Sequence, residues 1–84
     1  MQSTTDKIVS HYIVGMKALY PWARGEQGEA IAKRGLEIGE RAARAACAGT
    51  LKLEGQAWTD AVRASGYTGP ITKNALAAHC AKVA

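Results

Sequence analysis

Glu26 to Ala48 reads EQGEAIAKRGLEIGERAARAACA, and whether this run is one helix decides the fold. Gly28, Gly35 and Gly39 each cost a helix interior about 1 kcal/mol against alanine, so a helix here needs a compensating contact. Taken in sevens, Gly28, Ile31, Gly35, Ile38, Ala42, Ala45 and Gly49 fall on one stripe with alternating steps of three and four. Small side chains on such a stripe let two helix backbones approach more closely than the usual 8–10 Å or so, where dispersion offsets the lost propensity. The stripe's partner is either the preceding helix, with Tyr12 and Met16 filling the glycine notches, or the same helix of a second copy. A broader apolar flank of Ala32, Leu36, Ala43 and Cys47 gives this helix neighbours on two sides. Its remaining face carries Lys33, Glu37, Glu40, Arg41 and Arg44, where Glu37 with Arg41 and Glu40 with Arg44 form favourable i,i+4 pairs on a solvated surface.

On the N-terminal side, Ile8, Val9, Tyr12, Ile13, Met16, Leu19 and Tyr20 recur at helical intervals, which predicts a first helix over about 5–20. Ser3 and Asp6 suit a capping box, and Pro21 stops the helix. His11 falls on its polar flank. The link through Trp22 turns the chain into the second helix at about 26–48, antiparallel to the first, and Trp22 is expected to fold back over the first helix. On the C-terminal side, Gly49 ends the long helix. A third follows at about 56–65 with Trp58, Ala61, Val62 and Ser65 on one face, closed by Gly66. A fourth at about 70–83 has Pro70 in its first turn, with Ile71, Ala75, Leu76, His79 and Val83 as its inner stripe.

The composition agrees with this pattern. Seventeen alanines, no phenylalanine and few β-branched residues predict an all-α chain, read as one compact four-helix domain spanning residues 1–84. A chain of this length buries only about 60–65% of its extended surface, which favours one small core over a deep catalytic cleft. The formal charge is +4, and the excess is local: residues 61–84 hold Arg63, Lys73 and Lys82 and no acid.

Several function classes drop out as expectations. No serine or cysteine sits in a nucleophile motif and no glycine-rich loop follows a strand, so no catalytic residue, enzyme activity or cofactor is expected. Cys47 and Cys80 read as small buried thiols, and with His11 and His79 they lack zinc spacing, so no metal is expected. The N-terminal stretch lacks signal-peptide features and no segment approaches the roughly 18 apolar residues of a membrane span, which reads as cytoplasmic and without a membrane partner.

What remains is binding. Residues Thr59 to Thr68, TDAVRASGYT, resemble the short A-x-x-A-x-G-Y-S/T run of the helix-turn-helix in phage small-terminase proteins, over about residues 56–80. The turn Tyr67-Thr68-Gly69-Pro70 is a residue longer than the tightest form. The resemblance implies a phage-type or regulatory DNA-binding protein. Thr72, Lys73, Asn74 and Ala77 would then face the groove, with Arg63 and Thr68 on the phosphate backbone. The alternative is a modulator of a host protein complex, of the kind mobile elements carry, presenting Trp22, Trp58 or the Lys/Arg faces to a partner protein. The Gly28, Ile31, Gly35, Ile38, Ala42 stripe is the candidate interface of a homodimer.

Overall fold

The computed structural model describes residues 3–82, and among them every regular element is a helix. These are α1 (Thr4–Lys17), α2 (Gly25–Cys47), α3 (Gln56–Ala64) and α4 (Lys73–Lys82). The all-α, four-helix reading therefore stands, with two longer helices followed by two short ones.

Local chemistry sets most of the ends. The Ser3 hydroxyl oxygen accepts from the Asp6 amide at 3.1 Å, starting α1 as the capping pattern predicts. α2 closes in a Schellman turn: the Thr50 amide donates to the Ala45 carbonyl at 3.0 Å and the Gly49 amide to Ala46 at 3.2 Å. Gly49 is required there twice over, because its φ is +82° and a Cβ would lie 3.0 Å from Ala77 Cβ on α4.

Two boundaries differ from expectation. α1 ends at Lys17, three residues early, because Leu19 and Tyr20 bond back to Met16 and Lys17 in a turn ahead of Pro21. Leu19 consequently points to solvent, while Tyr20 swings across to α2. α4 begins at Lys73 instead of Pro70. Thr72 is its cap, its hydroxyl oxygen accepting from the Ala75 amide at 3.2 Å, and the Pro70 carbonyl accepts from the Tyr67 hydroxyl at 2.7 Å instead of from a helical amide. The expected extension to residue 83, and with it Val83 of the inner stripe, lies outside the described residues.

α1 occupies the middle, packed against α2 along one side and α3 along another, while α4 packs on the C-terminal part of α2. Gly39 faces Met16, Ile13 and Tyr12, whereas Arg44 reaches back to Asp6 at 3.0 Å, so α1 and α2 run antiparallel. The core is built from Ile8, Val9, Ala43, Ala46, Cys47, Trp58, Val62, Leu76 and Cys80. Trp58 is 2% exposed and stands edge-on to Tyr12, with ring centroids 5.4 Å apart. Both cysteines are free and buried.

Helix lengths shape the whole. The 23 residues of α2 span about 34 Å, whereas the nine of α3 and ten of α4 reach only about 14 and 15 Å. α4 packs on the C-terminal part of α2 and α3 on α1, so the first half of α2 runs past the short helices and faces the link, with Tyr20 against Gly35 and Ala23 against Gly28. Extents of 42 × 25 × 18 Å describe an elongated molecule, with the core where the helices pack together and a thinner end formed by the first half of α2 and the link.

Candidate functional site

On α2 the core contacts come from Ala32, Gly39, Ala43, Ala46 and Cys47, not from the heptad stripe. α1 and α3 supply bulky Tyr12, Met16 and Trp58, and the smallest residues of α2 face them. The predicted stripe is thereby split. Gly28 and Gly35 are half-buried within the chain itself: Gly28 lies under Ala23, and a Cβ on Gly35 would collide with the Tyr20 hydroxyl. Ala42 is half-buried as well. Ile31 and Ile38 stand outside, 53% and 56% exposed. They are seven residues apart and so share one face two helical turns apart.

The tryptophans divide in the same way. Trp58 belongs to the core and drops out of the candidate interface. Trp22, expected over α1, instead sits in the link, 54% exposed and edge-on to Tyr20 at 5.6 Å. Trp22 in the link, Ile31 in the first half of α2 and Ile38 just past its middle are thus all large apolar residues left exposed. Isolated exposed apolar residues are unremarkable, but two isoleucines sharing one exposed helix face mark an interaction surface.

The proposed nucleic-acid residues are only partly brought together. Lys73 and Asn74 are exposed at the start of α4, as is Thr68 in the preceding loop. The Thr72 hydroxyl is engaged as the cap. Ala77 packs under Gly49 and is turned away from any groove. Arg63 serves the loop: one guanidinium nitrogen donates to the Tyr67 carbonyl at 3.0 Å and to the Gly69 carbonyl at 2.7 Å. Tyr67 in turn rests on His79, with ring centroids 4.5 Å apart. The connection from Ser65 to Thr72 is eight residues long, against the three or four of a helix-turn-helix.

Charges on α2 also rearrange. Arg44 pairs with Glu40 at 3.4 Å as expected, and adds Asp6 at 3.0 Å, which sequence spacing could not reveal. Arg44 holds the Asp6 carboxyl below its usual range, helped by Ser3. Glu37 and Arg41 form no ion pair among the described residues. Burial, followed by the neighbouring Cys80 thiol, pushes the Cys47 thiol up to about 12. Such a thiol is a poor nucleophile. Among the described residues no three His, Cys, Asp or Glu side chains converge as metal ligands, and no helix is long and apolar enough to cross a membrane.

No family model matches the chain, nor does any curated protein or solved structure.

Proposed function

We propose that the chain is a small non-enzymatic binding protein that docks a partner protein on the exposed isoleucine face of α2. The observation that carries this is the pairing of Ile31 and Ile38, each more than half exposed, on a helix that closes the core with a different face. Trp22, exposed in the link that meets the start of α2, supplies an aromatic of the kind that dominates interface energetics. Placing two isoleucines in water while alanines fill the interior is a poor use of apolar surface in a chain this small, unless something covers them. A modulator that attaches to a host complex fits this arrangement, and so does self-association through the same face.

The test is affinity capture from a nuclease-treated lysate with the wild-type chain and with Ile31→Glu/Ile38→Glu, alongside sedimentation of each. A stoichiometric partner, or a dimer, present for the wild type and lost in the variant supports the reading. Identical behaviour of the two chains, each with intact helicity, removes it.

A second reading, DNA binding through the start of α4, is favoured by the exposure of Lys73 and Asn74 on a segment without acids. It expects retention in a mobility-shift assay that weakens steeply with salt. Lys73→Ala should lower affinity for all sequences, and Asn74→Ala should relax base preference. Absence of retention at micromolar protein in low salt would end it.

A further inference from the structure

The other flank of α2 carries a groove of different chemistry. Ile13 of α1 with Ala32 and Leu36 of α2 form the floor of an open depression of about 450 Å³, closed at one end by Ala23 of the link. Leu36 and Ile31 are five residues apart, which puts them about 140° apart around the helix. This floor is therefore a separate surface from the isoleucine face. The rim is acidic: Glu29, Glu37 and Glu40 border it, with Lys33 the one cation among the lining residues. Glu40 is shared with Arg44, and Glu29 and Glu37 have no ion-pair partner among the described residues. On a chain of net charge +4, this is a local reversal of sign over an apolar floor.

From this geometry we infer that the groove between α1 and α2 receives a basic amphipathic helix of a partner protein. Aliphatic anchors at i and i+3 or i+4 would lie on Ile13, Ala32 and Leu36, and Lys or Arg beside them would face Glu29 and Glu37. The rim from Glu29 to Glu40 runs about 16 Å along α2, the length of a three-turn helix, and no residue of α3 or α4 lines the groove. The inference rests on the reading that α2 is a docking surface, but concerns a different flank and names the partner's chemistry.

The test uses two fluorescein-labelled peptides of about 14 residues with one amphipathic leucine pattern, one carrying lysine and the other glutamate at every polar position, titrated against the full chain by anisotropy. Net charge alone would favour the glutamate peptide, so preference for the lysine peptide can only come from the local rim. The lysine peptide is expected to bind at micromolar concentration and at least about tenfold more tightly than its counterpart. Glu29→Gln/Glu37→Gln replaces two exposed, unpaired carboxylates without disturbing the core. It should weaken the lysine peptide about three- to tenfold, the loss expected for two exposed ion pairs. Ile38→Glu, on the other flank, should leave its affinity unchanged. Equal affinity for the two peptides, no lysine-peptide binding, or indifference to the glutamine substitutions would overturn the inference. So would loss of the peptide on Ile38→Glu, an outcome that leaves the isoleucine face standing as the docking surface.

Discussion

Gly39→Ala adds a methyl group at a buried position of α2 where Met16 Cε stands at 3.6 Å and Ile13 Cδ1 and Tyr12 Cε2 at 3.8 Å, all at ordinary contact distance. The change gains about 1 kcal/mol of helix propensity. Burying the methyl adds up to about 0.8 kcal/mol, so the variant should be more stable by roughly 1–2 kcal/mol. In a domain of this size that raises the thermal midpoint by about 5–12 °C. Gly35→Ala, one turn earlier on the same helix, gains the same propensity but meets the Tyr20 hydroxyl. Tyr20 must then leave its notch and its edge contact with Trp22, 5.6 Å away. An aromatic pair of that kind is worth about 0.5–1.5 kcal/mol, enough to cancel the gain. Thermal unfolding followed by far-ultraviolet circular dichroism should therefore show Gly39→Ala well above wild type and Gly35→Ala level with it or below. Equal stabilisation by the two would mean that Tyr20 does not occupy the notch. Destabilisation by Gly39→Ala would mean that α1 and α2 pack more closely than the contacts described.

Other expectations follow from the same packing. Trp58→Ala removes a buried aromatic and should cost about 3–5 kcal/mol in chemical denaturation, whereas Trp22→Ala should cost less than about 1 kcal/mol. Cys47 ionises near 9 in the unfolded chain but only near 12 when buried. The folded state therefore holds more protons in that interval, and stability falls as pH rises from about 9 toward 12. Cys47→Ala should flatten that part of the pH profile when unfolding is compared at pH values on either side of about 9. Arg63→Ala frees the Tyr67 and Gly69 carbonyls, and hydrogen exchange should accelerate within residues 65–72 while α1 and α2 keep their protection.

The helices were legible because their signals are local. Ser3 with Asp6, Gly49 and Gly66 stop or start the chain through bonds to residues within five positions, and sequence spacing carries such bonds. Choosing the buried side of α2 was harder. On an alanine-rich helix two neighbouring stripes are nearly equally apolar, and the one with isoleucines looks more like core. The bulk of Tyr12, Met16 and Trp58 decides otherwise, through contacts between helices that periodicity on α2 does not contain. Trp22 and Trp58 are separated for the same reason, since contacts between helices, and not the spacing around either tryptophan, decide which one is covered. The acidic groove is harder to see in the sequence, although Leu36 with Glu29, Glu37 and Glu40 is a visible signal. Pairing Glu37 with Arg41 in the sequence conceals it.

The sequence contains five isoleucines, so selective labelling of their δ1 methyl groups resolves the central claim residue by residue. With a soluble paramagnetic agent added to the isolated chain, the Ile31 and Ile38 methyl signals should broaden strongly while that of Ile8, fully buried, stays sharp. Methyls of Ile31 and Ile38 that remain as protected as Ile8 at every protein concentration would place them in the core and contradict the account.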